Sequence, residues 1–178
     1  MFLNYTIYVK RRQMSLDIIL RKPIKNDANY IYKLVQDTKV LDINSEYLYL
    51  LQSTHFADNC IVATVEEKIV GFVSGYIKPN HPDRLFIWQV GVESDYRGND
   101  IAGKMLRGLL AYDNHYAISI IETTISPSNK ASQRVFEKLA QELDATLDKS
   151  RFFEIEDFTY AHEEEILYTI KLNRTKEK

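Results

Sequence analysis

The chain has 178 residues, 45% of them apolar and 27% charged, with a formal charge of −2. This suits one globular unit with a sizeable core, and the near-neutral charge excludes a global basic field that would recruit nucleic acid. Cys60 is alone, which excludes an intramolecular disulfide and a cysteine metal cluster, and no apolar run approaches the roughly 20 residues of a membrane span.

The opening, MFLNYTIYVKRRQMS, puts basic residues after apolar ones. That is the wrong order for a secretory signal, so a cytoplasmic protein with an N-terminal extension over 1–15 is expected. Residues 16–24, LDIILRKPI, read as a strand. Residues 25–40 read as a helix that Asn26 or Asp27 can cap, with Ala28, Ile31, Leu34 and Val35 on one face. Asp42, Ile43 and Asn44 form a turn. Ser45 then caps a second helix with Leu48, Leu51 and His55 along one side, and Tyr47, Leu50 and Thr54 beside them. The runs CIVATVE and IVGFVSGYI are strands joined in a hairpin at Glu67 and Lys68. PNHPD breaks the chain. LFIWQVGV, nearly continuously apolar, reads as a central strand covered on both faces.

The stretch YRGNDIAGKML comes next, a glycine turn opening a helix with Ile101, Ala102, Met105, Leu106, Leu109 and Leu110 on its packing side. AISIIETTI is another strand, and Pro127 and Asn129 open a helix with Ala131, Val135, Phe136 and Leu139 on one face. RFFEIEDF and EILYTIKL finish as strands, and the tail 173–178 lacks a packing face. The order βααβββαβαββ, with no repeat and no linker, describes one α/β domain.

The free N–H groups at the start of the helix from Ile101 make an anion site that the helix dipole strengthens. Gly98 and Gly103 allow close approach, and Arg97, Lys104 and Arg107 add positive charge. The dinucleotide fingerprint and the Walker loop both fail here, because neither a spaced G-x-G-x-x-G nor a G-K-[ST] is present. On the residues alone, an ordinary glycine turn entering a helix remains open.

From residue 16 to 172 the chain resembles the GNAT superfamily of N-acetyltransferases. The strand WQVGV leads there into an R-x-x-G-x-G/A loop, which here runs Arg97, Gly98, Asn99, Asp100, Ile101 and Ala102, followed by Gly103. The resemblance implies a mixed central sheet flanked by helices. It also implies acetyl-CoA as cosubstrate, held by this loop, by the backbone of Val90, Gly91 and Val92, and by Asn129. Asp100 replaces the first glycine and is expected to point outwards or to cap the helix as an acceptor. Phe136 stands where many members carry a tyrosine that protonates the leaving thiolate.

Four segments narrow the resemblance: residues 41–63, 85–106, 121–136 and 152–170 together are similar to the L-2,4-diaminobutyrate acetyltransferase family of ectoine (compatible-solute) biosynthesis. The implied reaction is acetyl transfer to the side-chain amine, giving N4-acetyl-L-2,4-diaminobutyrate. Such a substrate brings two ammonium groups to a site that must bind cations and accept a proton. The resemblance places Asp42, Ser45 and Tyr47 against the substrate. Their plain alternative, for Asp42 and Ser45, is helix capping. Trp88 and Gln89 lie just before the cofactor segment; a glutamine in so apolar a strand needs a partner. Thr124 ends the next strand.

In HEEE at 162–165, the resemblance makes Glu165 the residue that holds and deprotonates the amine, with His162 orienting it or relaying a proton. His55 is expected to pack near a helix end, and His81 and His115 to lie at the surface. Four scattered histidines give no metal-ligand spacing, so no metal is expected. A homodimer is open to such members, and no membrane or nucleic-acid partner is expected. Two other functions stay open on the residues: an inactive acyl-CoA sensor, favoured by Asp100 and Phe136, and acetylation of another small amine.

Overall fold

The computed structural model describes residues 17–112 and 117–173; His115, the whole N-terminal extension 1–15 and the tail beyond Asn173 lie outside them. In chain order the elements are β1 (Ile19–Arg21), α1 (Ala28–Thr38), α2 (Glu46–Gln52), β2 (Ile61–Val65), β3 (Lys68–Ile77), β4 (Arg84–Val92), α3 (Ile101–Leu110), β5 (Ile120–Ile125), α4 (Lys130–Glu142), β6 (Thr146–Phe153) and β7 (Glu165–Lys171). The seven strands form one sheet in the order β1-β2-β3-β4-β5-β7-β6. Every pairing is antiparallel except that of β4 with β5. No helix among the described residues is long and apolar enough to cross a membrane.

Apolar spacing decides which helix covers which face. Ala28, Ile31, Leu34 and Val35 recur at helical period and bury against Val62, Ile69 and Phe72, together with Tyr49 from α2. On the opposite face Ile101, Met105, Leu106 and Leu109 of α3 and Phe136, Leu139 and Ala140 of α4 pack on Ile61, Ala63, Leu85, Ile87 and Ile121. Asp27 does not cap α1 with its side chain; it pairs with Arg21 at 2.6 Å and accepts from the Ile24 N–H at 2.8 Å.

Several boundaries differ from the sequence reading. α2 ends at Gln52, so Thr54 and His55 are off the helix and exposed, and its buried side is Tyr49 and Gln52 rather than the leucine stripe. The hairpin turns at Glu66 and Glu67, whose φ values of 49° and 66° suit a two-residue turn that follows strand twist. β6 begins earlier, at Thr146, and the chain leaves the sheet after Phe153 as the Asp157 carboxylate accepts from the Glu154 N–H at 2.9 Å. In α4, Ala131 is exposed and the buried side runs from Phe136.

β4 departs most from expectation. It is not covered on both faces: Trp88 stays 47% exposed. Pairing with β3 passes from Ile87–Gly75 to Gln89–Ser74, which leaves Trp88 as the extra residue of a β-bulge. The bulge reverses the sides of the strand. Leu85 and Ile87 face α3 and α4 before it, whereas Gln89 and Gly91 face α1 and α2 after it. On its other edge β4 pairs with β5 only through Arg84–Phe86, and no pairing continues beyond. The paired end is clamped by Glu122, 2% exposed, which accepts from Lys78 and Arg84 at 2.8 Å each. Burial pushes the Glu122 carboxyl up, but these two cations more than offset it and hold it below the usual range.

Gly75 sits opposite the bulge, where an added Cβ would fall 2.6 Å from the Phe86 carbonyl oxygen. Gly75→Ala should therefore destabilise the fold by roughly 1–3 kcal/mol, the usual cost of overpacking. Urea unfolding measures this, and a change near zero would show that the bulge absorbs a methyl group freely.

Candidate active site

A groove of about 490 Å³ opens where β4 and β5 part. Its floor is Val90, Gly91 and Val92; one wall is Arg97, Gly98, Asp100, Ile101, Ala102 and Gly103; the other is α4, from Asn129 to Glu142. Thr38, Val40 and Leu41 overhang it. Ten of the cofactor residues expected from sequence line this groove; Asn99 does not. Its amide instead donates to the Tyr96 carbonyl at 3.0 Å and braces the loop.

Local chemistry explains the walls. Gly98 has φ 83°, backbone that side chains disfavour. Asp100 adopts φ 57°, which aspartate tolerates better than most residues. Arg97 Nε donates to the Val92 carbonyl at 3.2 Å and ties the loop to β4. Asn129 caps α4 by accepting from the Ser132 N–H at 3.0 Å. Lys104 is exposed outside the groove. Asp100 neither points away nor caps: it makes no capping hydrogen bond and pairs with Arg107 and Lys138 at 2.7 Å each. Burial raises its carboxyl, and the two cations outweigh that and leave it below the usual range. An apolar floor with N–H groups at one end suits a long thiol ester ending in phosphates, and Phe136 closes the α4 side without any acidic hydrogen.

Beside the groove, β5 and β7 present a polar face. Thr124 pairs with Leu167, and one step on, the Ser126 hydroxyl donates to Glu165 Oε1 at 2.9 Å. The neighbouring Glu163 accepts from the Ser128 N–H at 3.0 Å, which fastens the chain before β7 to the start of α4. These Ser128 bonds, the hydroxyl's first, hold the Glu163 carboxyl below its usual range.

The loop leading into α2 reaches the same face. Gln89 Nε2 donates to the Asp42 carbonyl at 2.8 Å, and the Tyr49 hydroxyl donates to Gln89 Oε1 at 3.2 Å. Gln89 has the partners its burial demands, and they are protein groups that fix the loop. The Asp42 carboxylate stays 85% exposed and meets His162 Nε2 at 3.5 Å. His162 stacks on Phe158 with ring centroids 4.0 Å apart, while its Nδ1 donates to the Glu163 carbonyl at 2.6 Å. That carbonyl first, then Asp42 and the field of Glu165, raise the His162 pKa above its ordinary value. Ser45 caps α2 by accepting from the Leu48 N–H at 3.4 Å; Tyr47 is exposed. Trp88 stands edge-on to Tyr76 with centroids 6.5 Å apart.

Asp42 is thus brought to His162 and Glu165, which belong to one run, from a segment about 120 positions earlier. Tyr49, Ser126, Phe158 and Lys138 were missed. Tyr49 sits one position from the apolar stripe that drew attention, and only Gln89's need for a partner hinted at it. Among the described residues no cluster of three or more metal-ligating side chains is present.

The profile of the acetyltransferase (GNAT) family matches residues 28–140. The L-2,4-diaminobutyric acid acetyltransferase of Halomonas elongata is 41% identical over 154 residues, 86% of this chain and 80% of that protein. Its counterpart in Vibrio cholerae is 41% identical over 164 residues, covering 89% and 92%. Among solved structures, the diaminobutyrate acetyltransferase of Paenibacillus lautus, in complex with its substrate L-2,4-diaminobutyric acid and coenzyme A, superposes with a TM-score of 0.87. It shows 36% identity, with 92% of this chain and 99% of that one covered.

Because its folded value is raised, the His162 ion pair is fully present below about pH 6.5, the ordinary imidazole value, and is lost as pH rises through the higher folded value. An NMR titration of the His162 ring should give a midpoint above that ordinary value. Asp42→Asn should bring it part of the way back; an unmoved midpoint would show that Asp42 exerts no pull on the ring.

Proposed function

The chain belongs to the acetyltransferase (GNAT) family, and from that premise we infer that it transfers the acetyl group of acetyl-CoA to the side-chain amine of L-2,4-diaminobutyrate. The observation that carries the reading is the adjacency of the groove to a carboxylate-bearing face. Asn129, which lines the groove, lies three residues beyond Ser126, which holds Glu165. This activity places the chain in ectoine biosynthesis, a response to osmotic stress. A cytoplasmic location fits that role.

The groove residues hold and orient the thioester, with the apolar floor around the pantetheine arm and the N–H groups of α3's first turn toward the phosphates. An amine attacks a thioester only after losing a proton. Glu165 is the base in this reading: it takes that proton, and the hydroxyl of Ser126 keeps its second oxygen free to receive it. The new nitrogen–carbon bond forms as the carbon–sulfur bond breaks. Phe136 has no proton to give the departing CoA thiolate, so another group or water supplies it.

Regiochemistry is a matter of reach. The α-amine is the less basic of the two and more often unprotonated, so chemistry alone does not select the side-chain nitrogen. Asp42, placed by Gln89 and held near His162, attracts the amino-acid end, and Ser45 and Tyr47 lie on the same loop and helix. In this reading Trp88 and Thr124 bound the far end, and Glu165 receives the proton there. Fixing one end turns the choice of nucleophile into distance.

Thiol release from acetyl-CoA with diaminobutyrate, followed by NMR of the product, tests the assignment. The acetyl group is expected on the side-chain nitrogen; a product acetylated on the α-nitrogen overturns it. Glu165→Gln, which preserves shape and the Ser126 contact, should lower kcat by roughly 10²–10⁴-fold, the range for a positioned base. Its CoA affinity should be unchanged. Asp42→Asn should raise KM for diaminobutyrate and let the acetyl group appear on the α-nitrogen as well.

A further inference from the structure

Four charged side chains close a ring across the outer end of the groove. Asp100 bonds Arg107 and Lys138 at 2.7 Å each, and Glu142 meets the same two cations from the other side, reaching Lys138 at 3.5 Å. Asp100, Lys138 and Glu142 line the groove. The ring sums to zero charge, so cations that would otherwise attract an anion are already engaged.

The position of the Asp100 carboxylate is specific. A Cβ on Gly103 would lie 2.8 Å from Asp100 Oδ1, so the carboxylate rests against the first turn of α3. The Lys104 N–H donates to the Asp100 carbonyl at 2.9 Å, leaving the N–H groups of Ile101, Ala102 and Gly103 ahead of the intrahelical ladder. Asp100's left-handed backbone turns the side chain away from capping them. An acidic group therefore sits where the phosphates of a CoA ester would come to rest, and it makes no capping hydrogen bond to the helix's free N–H groups.

We propose that Asp100 is a resident competitor for the phosphates of CoA: it holds Arg107 and Lys138 in the free enzyme and gives them up to the incoming phosphates. Binding is then an exchange of ion pairs rather than a gain of them. CoA is held less tightly than by a loop with glycine at this position, and it leaves more readily after transfer. The exchange leaves one carboxylate, Glu142, still paired with the ring, so the two cations stay positioned while their partner changes. This inference rests on acetyl-CoA as cosubstrate.

The test is calorimetric titration of CoA into the wild-type protein and Asp100→Asn at low and high salt. Asparagine tolerates left-handed backbone, so the turn survives. Asp100→Gly serves as a second variant without any side-chain amide. Both variants should bind CoA about five- to tenfold more tightly, as expected on removing a like charge at a partly solvated site. Their affinity should also fall more steeply with salt, since two freed cations now meet the phosphates. The gain in affinity should be much smaller for a phosphate-free pantetheine thioester, which brings no anion to the freed cations. Unchanged or weaker CoA binding by the variants overturns the proposal, as does an equal effect on the phosphate-free thioester. If the wild-type protein bound no CoA, the acetyl-CoA reading itself would fall, and this inference with it.

Discussion

Everything functional here depends on how β4 and β5 part. They run parallel for three residue pairs and then separate. The paired end is locked by a buried carboxylate held between two cations, Glu122 with Lys78 and Arg84. Breaking such a pair would leave an uncompensated charge in the sheet, which is costly. The separated end is shaped by the bulge at Trp88, which redirects the last residues of β4. One end is thereby rigid and the other open, and the opening becomes a groove whose floor is backbone.

The bulge does more than bend the strand. It turns Gln89 toward the α1–α2 side, where its amide meets Tyr49 and the Asp42 carbonyl. It also leaves Trp88 half-exposed beside Tyr76. The loop that carries Asp42 is therefore placed by the same irregularity that shapes the cofactor groove. A loop held by Gln89 and a groove floor that starts at Val90, the next residue of the same strand, cannot drift independently.

The two halves of the site treat carboxylates in opposite ways. In the groove, Asp100 and Glu142 are neutralised by Arg107 and Lys138, so the region meets a polyanion with its charges already balanced. On the neighbouring face, Asp42 is largely exposed and Glu165 has a serine hydroxyl as its partner. The cation this face holds against Asp42 is His162, whose imidazolium is favoured where it sits.

Much of this was legible in the residues themselves. Local periodicity determined the kind and order of the elements, because burying an amphipathic face needs only neighbours in sequence to agree. The glycine loop before Ile101, the cap at Asn129 and the acidic run at 162–165 were readable for the same reason: each works within a few residues of itself. Tertiary structure decided the rest. It found Tyr49 as the partner of Gln89, 40 positions away, and Ser126 as the partner of Glu165, 39 positions away. It turned Asp100 from a cap into one member of a ring, because the compensating charges lie on α3 and on α4 beyond the next strand. It opened a strand that read as covered, because one unpaired residue reversed its faces. Sequence carries local geometry directly; which distant charge or hydroxyl completes a polar group is settled only when the sheet brings the two together.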